Sequence, residues 1–258
     1  MKDIKVSGCI VTYNNSDIIM KCINSLLENT RAYSFSLFIS DNDSKDDTVK
    51  RIQEKFPGVK IIQNDNNLGF GQGHNRVLDV INTDYHVVIN PDVIIDTDVI
   101  SRLVNFMERN PDVGMVSPKV LNPDGTEQFL PKKDPSLKYV ILSKFKWWAH
   151  FRNEYTMQNF VFEKPTQVQS CSGSFFVIRT ELFKKVGGFD KRFFMYYEDA
   201  DLSRRVREKA KLVFYPESYI YHVWHRENVK NLRGILIFLR SMVKYLIKWK
   251  WLKKCANK

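Results

Sequence analysis

Apolar residues in this chain recur in two rhythms that alternate along its first half. Residues 4–12 (IKVSGCIVT) form a nearly unbroken apolar run, which predicts a buried strand closed by a turn at Tyr13-Asn14-Asn15-Ser16. Ile18, Ile19, Cys22, Ile23, Leu26 and Leu27 then repeat at helical spacing, predicting a helix to about Glu28 with Asn15 or Ser16 as its cap. The pattern continues as strand 35–40, helix 46–56, strand 59–63, a helix running from the Gly-rich stretch 66–74 to about Ile81, strand 85–90, helix 98–109 and strand 113–117. Such alternation predicts an α/β fold, with a mostly parallel central sheet covered by helices on both faces. Ligands of these sheets bind at the carboxyl ends of the strands. The polar groups gather at those predicted ends: Thr12-Tyr13-Asn14, Asp41-Asn42, Asn67 to Asn75, and Asn90-Pro91-Asp92.

The second half is less regular. Residues 121–166 carry Pro123, Pro131, Pro135 and Pro165 with Trp147-Trp148 between them, which predicts a long excursion facing an acceptor. A strand–turn–strand is expected over 168–179 around Ser172-Gly173-Ser174, then a short helix 180–186 ended by Gly187-Gly188. Pro216 is expected to separate strands 212–215 and 219–223, the latter bearing His222.

The densest chemistry lies between those elements. In Phe193-Phe194-Met195-Tyr196-Tyr197-Glu198-Asp199-Ala200-Asp201, three carboxylates follow an aromatic run and open a helix that ends near Lys209. Acids in a first helical turn sit beside unpaired backbone N–H groups, so they could serve the helix alone. The adjacent aromatics offer a partly desolvated pocket, where a carboxyl pKa rises toward that of a general base.

Other motifs are individually ambiguous. Asn90-Pro91-Asp92 is either a strand-ending turn or the seat of a divalent cation bridging Asp92 and a diphosphate. Asp41-Asn42-Asp43-Ser44-Lys45-Asp46 fails as a calcium loop, since Lys45 takes a ligand position and Asp46 stands where glycine is required. It remains a turn with a helix cap, or a holder of a base or ribose. Gly69-Phe70-Gly71-Gln72-Gly73-His74 lacks the third glycine of the dinucleotide fingerprint, but its glycines would let the backbone approach a ligand closely. His222, ending a strand, is a candidate partner for Asp92 in a metal site, with His225 close behind.

Composition and charge narrow the class. With 258 residues and 43% hydrophobic content, the chain can bury a substantial core. Cys9, Cys22, Cys171 and Cys255 show no metal-ligand spacing and read as reduced, and the start runs directly into a strand, so a cytoplasmic protein is expected. From Arg226 onward ten Lys/Arg face the single acid Glu227, so this tail carries +9 of the net +11. The nearly neutral body argues against a nucleic-acid binder. The tail's longest uncharged run, Gly234 to Leu239, is too short to span a bilayer. Leu236, Leu239, Val243, Leu246 and Trp249 form an apolar stripe, with Arg240, Lys244 and Lys248 at every fourth position and Trp251 beyond. Either this helix lies in an anionic membrane surface, or it packs on the domain with a solvated basic face.

Taken in order, these motifs resemble family 2 glycosyltransferases of the GT-A fold. The residues that carry the resemblance are Val11-Thr12-Tyr13-Asn14, Asp41-Asn42-Asp43-Ser44, Asn67-Leu68-Gly69-Phe70-Gly71 through Asn75, Asn90-Pro91-Asp92-Val93, Ser172-Gly173-Ser174-Phe175, Gly187-Gly188-Phe189-Asp190, Phe194 through Leu202, and His222. The Asn-Pro-Asp form and the basic tail make it most similar to bacterial rhamnosyltransferases of O-antigen and capsule synthesis. The resemblance implies that Thr12, Tyr13, Asn14, Asp41, Asn42, Gly69, Asn75, Asn90 and Asp92 bind the nucleotide, and that Asp199 is the catalytic base. It further implies that Ser172, Gly173 and Glu198 face the acceptor, while Asp92 and His222 hold a divalent cation, Mg2+ or Mn2+. Asn90 replaces the first acid of the family's DxD motif, which leaves Asp92 and His222 as the main protein ligands. The implied reaction is inverting sugar transfer, with dTDP-L-rhamnose or a UDP-hexose as donor. The acceptor is a polyprenyl-diphosphate-linked or growing glycan at the inner face of the cell membrane. A non-catalytic nucleotide-binding module is the reading from another class. Residues 1–225 are expected to form the catalytic domain, with 1–118 as the nucleotide half and 119–225 as the acceptor half, followed by the tail 226–258. All of it requires Asp92 and Asp199 to face one cleft.

Overall fold

The strand Lys5–Thr12 (β1) is buried along all but its first residue, as a central strand flanked on both sides must be. It pairs in parallel with Ser34–Asp41 (β2) and with Tyr85–Ile89 (β4), and β2 pairs in parallel with Lys60–Gln63 (β3). The computed structural model describes residues 3–129, 131–136, 139, 149–223 and 232–256, with side chains to 249 in the last segment. Trp147-Trp148, His225, the tail from Arg226 to residue 231, and the side chains of Trp251 and Cys255 therefore lie outside the described residues.

Beyond β4 the sheet changes character. Phe175–Arg179 (β8) inserts antiparallel between β4 and Val113–Leu121 (β6), and β6 pairs in parallel with Lys211–His222 (β9). Two short strands, Val93–Ile94 (β5) and Thr166–Gln167 (β7), each pair antiparallel with β9. The order is β3-β2-β1-β4-β8-β6-β9-β5. Strands β3, β2, β1 and β4 thus run parallel to one another, and the antiparallel pairings involve β5, β7 and β8.

Alternating strand residues feed two apolar layers. Val87, Ile89, Phe175 and Val177 pack with the helices Ile18–Asn29 (α1) and Val99–Arg109 (α4) on one face. Val88, Phe176 and Ile178 pack on the other with Phe183 from Thr180–Lys185 (α6), and with Leu202 and Val206 from Glu198–Arg207 (α7). The helices Thr48–Lys55 (α2), Phe70–Asn75 (α3), Ala149–Thr156 (α5) and Leu232–Ala256 (α8) complete the described elements.

Several boundaries differ from the sequence reading. The helix expected to reach Ile81 ends at Asn75 and continues as turns, although Val77 and Ile81 still bury against Cys9 and Phe38. The segment 168–174 is not a strand. Pro118 and Pro216 break neither strand: the register jumps from Pro118 opposite Tyr215 to Lys119 opposite Tyr219, so a bulge absorbs the missing donors and β9 continues to His222. At α1 neither Asn15 nor Ser16 caps with its side chain; the Asn15 carbonyl accepts from the amides of Ile18 and Ile19. Cys9, Cys22 and Cys171 are free and buried, which pushes their thiols up and makes them poor nucleophiles.

Candidate active site

Strand register alone brings the polar segments together. Thr12 lies opposite Asp41, Asp41 opposite Gln63, and Ile10 opposite Ile89, so residues 12–14, 41–42, 64 and 90–92 leave the sheet at one edge. Because β8 runs antiparallel with Phe175 opposite Ile89, Ser172-Gly173-Ser174 begins at that edge too. Val93 pairs with His222, which sets the imidazole beside Asp92.

At the β1–β2 end of this edge, side chains lock loops to one another. Asp41 accepts from the Ser44 hydroxyl at 2.5 Å and amide at 3.0 Å, and the Ser44 hydroxyl accepts from the Asn14 amide at 2.9 Å. Asn14 Oδ1 in turn accepts from the Lys45 amide at 2.7 Å. Asn14 (φ 53°) and Asp43 (φ 66°) adopt the left-handed conformation that Asn and Asp tolerate best. Asn42 donates to Asn67 Oδ1 and the Gly69 carbonyl while accepting from Asn64 at 3.0 Å, which fixes the Gly-rich loop. Thr12 is buried, and the Tyr13 ring is 45% exposed at the mouth, where it can stack on a planar base. Gly69 (φ 81°) permits the loop's closest approach to the aromatic run, for a Cβ there would lie 2.1 Å from the Phe194 carbonyl oxygen. Asn75 stands apart from this cluster: its amide donates to the Phe189 carbonyl at 2.7 Å and accepts from the Phe189 amide at 2.8 Å.

At the opposite end Asp199 lies in the first turn of α7. Its Oδ2 accepts from the Gly173 amide at 3.2 Å and its Oδ1 from the Ala200 amide at 2.7 Å. Ser174 accepts from the Asn90 amide at 2.8 Å, so the 172–174 loop touches Asp199 on one side and the Asn90-Pro91-Asp92 turn on the other. The two carboxylates expected to share a cleft are thus joined by one three-residue loop. A Cβ at Gly173 would stand 3.1 Å from the Phe70 ring and 3.5 Å from Asp199 Cβ, so this loop approaches both closely. Glu198 is buried with Oε2 lacking a hydrogen-bond partner; burial first, and the neighbouring Asp199 charge second, push its carboxyl well above the usual carboxylate range.

The third corner suits a cation. Gln128 Nε2 donates to the His222 carbonyl at 2.8 Å, which turns Gln128 Oε1 toward His222 Nδ1 at 3.1 Å. That network assigns the proton to Nδ1 and leaves Nε2 a lone pair. Nε2 lies 3.1 Å from Asp92 Oδ1 and 3.3 Å from Asn90 Nδ2. The Asp92 contact is within ion-pair range but not aligned as a hydrogen bond, so a buried carboxylate oxygen is left without a donor. Two lone pairs converging in this way fit a divalent cation with N and O ligands, and Gln128 fits the outer group that orients a ligating histidine. Among the described residues no cluster of three or more His, Cys, Asp or Glu surrounds this point, so water and a diphosphate would complete the coordination.

Sequence reasoning did not foresee Gln128, Asn64 or the Gly173 amide. Gln128 reaches His222 through a hairpin in which its amide donates to the Val120 carbonyl at 2.9 Å, a contact across 94 residues that no local pattern announces.

The tail differs most from its expected form. Its helix packs on the domain, and the predicted apolar stripe divides: Leu236, Leu239 and Val243 face outward, whereas Trp249 and Tyr245 are buried with Phe193 and Ala200. Lys248 turns inward as well, to Asp190 at 2.8 Å and Asp201 at 2.5 Å.

Residues 7–187 match the sequence model of glycosyl transferase family 2. The chain is 30% identical over 232 residues to the N-acetylglucosaminyl-diphospho-decaprenol L-rhamnosyltransferase of Mycobacterium tuberculosis, covering 82% of this chain and 74% of that one. It is 28% identical over 250 residues to the rhamnosyltransferase WbbL of Escherichia coli K12, covering 92% and 90%. Among solved structures it is similar to GalNAc-T7 with UDP, GalNAc and Mn2+ (TM-score 0.71, 16% identity, 94% of this chain and 47% of that one). It is also similar to the mannosyltransferase PcManGT of Pyrobaculum calidifontis with GDP-Man and Mn2+ (TM-score 0.64, 15% identity, 93% and 63%). The chain spans less than two thirds of either solved protein, and at these identities the likeness is one of fold.

Proposed function

We propose, from the premise that the chain belongs to glycosyl transferase family 2 and is a glycosyltransferase of the GT-A fold, that it moves L-rhamnose from dTDP-L-rhamnose to a lipid-diphosphate-linked sugar in surface polysaccharide synthesis, with inversion. The observation that carries the reading is the single edge shared by Asp199 and the Asp92–His222 corner, with the Gly173 loop between them. The names of the rhamnosyltransferase relatives support rhamnose as the transferred sugar, and that of the mycobacterial one supports a prenyl-diphosphate-linked acceptor.

Residues 1–118 bind the nucleotide, with Thr12, Tyr13, Asn14, Asp41, Asn42, Gly69 and Asn90 shaping the site and Asn75 acting through Phe189. Asp92 and His222 would hold Mg2+ or Mn2+, which would supply positive charge against the departing diphosphate. Asp199 takes the proton of the acceptor hydroxyl as that oxygen attacks the anomeric carbon from the face opposite the diphosphate. Ser172, Gly173 and Glu198 line the acceptor half, 119–225. Glu198, buried beside Asp199 with its carboxyl pKa raised by burial and by the Asp199 charge, backs the base from the start of α7.

No described helix is long and apolar enough to cross a membrane. Instead α8 presents Leu232, Ile235, Leu236, Leu239, Val243 and Ile247 outward, with Arg233, Arg240 and Lys244 exposed along one flank. An apolar face beside a basic ridge is complementary to an anionic bilayer surface, where a lipid-linked acceptor would reside.

The test is transfer from dTDP-L-rhamnose, UDP-glucose and UDP-galactose to a prenyl-diphosphate-linked N-acetylglucosamine, with and without a chelator. Turnover with dTDP-L-rhamnose alone, abolished by the chelator, is the expected result. Preference for a UDP-hexose overturns the donor assignment, and absence of product with every donor overturns the catalytic reading.

A further inference from the structure

The mechanism above leaves the third acid of the motif, Asp201, without a task, and treats α8 as a membrane contact only. Their geometry joins them. Asp201 is fully buried and accepts from Arg205 Nε at 2.8 Å, Trp249 Nε1 at 3.0 Å and Lys248 Nζ at 2.5 Å. Lys248 also reaches Asp190 at 2.8 Å, so one ammonium ties together both ends of the segment 190–201. Between those ends, Ser241 donates to the Met195 carbonyl at 2.7 Å and Lys244 to the Arg192 carbonyl at 2.6 Å. The Phe238 ring packs at 5.6 Å from Tyr196 and 5.4 Å from Tyr197, and Tyr245 at 5.5 Å from Tyr197.

The clamped segment is strained. Tyr196 (φ 70°) and Tyr197 (φ 69°) are consecutive left-handed residues immediately before Glu198 and Asp199. Bulky side chains hold that conformation only where surrounding contacts over-determine it. Those contacts come largely from α8.

We propose that α8 is a working part of the acceptor half, in which Lys248 is a positioning residue that clamps the 190–201 loop and so aims Asp199. Because the outer face of the same helix carries the lipid contact, the catalytic base and the bilayer surface share one rigid element. The coupling to the bilayer rests on the membrane reading given under Proposed function; the clamp does not.

The test uses the full chain and three readouts. Hydrogen exchange over 193–200 reports the clamp whatever the substrate; turnover on a water-soluble short-chain prenyl-diphosphate N-acetylglucosamine reports the aim of Asp199; co-sedimentation with phosphatidylglycerol vesicles reports the outer face. Lys248→Met is expected to speed exchange over 193–200 and lower kcat by about tenfold or more, with the donor KM and vesicle binding unchanged and Lys248→Arg restoring most of the loss. Phe238→Leu, which removes no buried charge, should act in the same direction. The double variant Leu236→Glu/Val243→Glu is expected to lose vesicle binding and keep kcat on the soluble acceptor. Wild-type exchange over 193–200 in both inner-face variants overturns the clamp. So does a parallel loss of kcat and donor binding, which would mean general damage. Retained vesicle binding by the outer-face double variant overturns the membrane reading and leaves the clamp standing.

Discussion

The Gly173 amide donates to Asp199 Oδ2 at 3.2 Å, so the loop that meets the Asn90-Pro91-Asp92 turn also holds the carboxylate proposed as the base. The hydrogen bond orients one oxygen and leaves Asp199 partly exposed toward the cleft.

Asp199→Asn keeps that backbone contact and removes the proton acceptor. General-base loss of this kind lowers kcat by about 10²–10⁴-fold. Steady-state turnover should fall by this order while the dTDP dissociation constant, measured by calorimetry, stays near wild type. Substantial residual turnover would remove Asp199 from the role of base.

Gln128→Leu should weaken metal binding without touching a ligand. With Nδ1 no longer engaged, His222 is free to turn its ring and to change tautomer. Loss of such an outer partner costs about 10–100-fold in metal affinity, readable by Mn2+ titration followed by electron paramagnetic resonance. An unchanged affinity would show that His222 is not a ligand.

Gly69→Ala places a methyl against the Phe194 carbonyl in a backbone region that L-residues avoid. Since the Phe70 amide donates to that same carbonyl at 2.9 Å, the loop must shift rather than the side chain. A destabilisation of about 1–3 kcal/mol is expected in urea unfolding, together with weaker nucleotide binding. Wild-type stability would mean that the aromatic run yields easily.

Glu198 makes the fold sensitive to alkali. Its folded pKa lies above its ordinary value of 4.5, because burial and the Asp199 charge both disfavour ionisation. The folded state therefore binds the proton more tightly than the unfolded chain. The resulting stabilisation is full below pH 4.5 and is lost as pH rises through the elevated folded pKa. Glu198→Gln should remove this loss, so the variant should gain stability relative to wild type as pH rises from 5 toward 9 in about single-unit steps of denaturant titration. A constant difference across that series would place the ionisation of Glu198 elsewhere.

Much of the site was legible because parallel-sheet geometry converts order along the chain into position in space. Once β1, β2 and β4 were recognised from their apolar runs, Thr12, Asp41 and Asp92 had to emerge at one edge. The Glu198-Asp199 pair likewise announced itself, as acids opening a helix after aromatics.

What the amino-acid sequence determined by itself was the alternation of strands and helices, the edge at which the polar segments gather, and the acids that stand there. Only the tertiary structure decided which partners those acids have. Gln128 meets His222 because a hairpin and a strand pairing close over 94 residues. Lys248 and Trp249 reach Asp201 because α8 turns that side inward, although helical periodicity by itself groups Trp249 with Leu236, Leu239 and Val243, and Lys248 with Arg240 and Lys244. Periodicity defines faces along one helix; it does not choose which face a distant buried carboxylate and a strained aromatic turn will claim. That choice depends on the balance of desolvation and pairing in three dimensions, and here it joined the tail to the 190–201 segment.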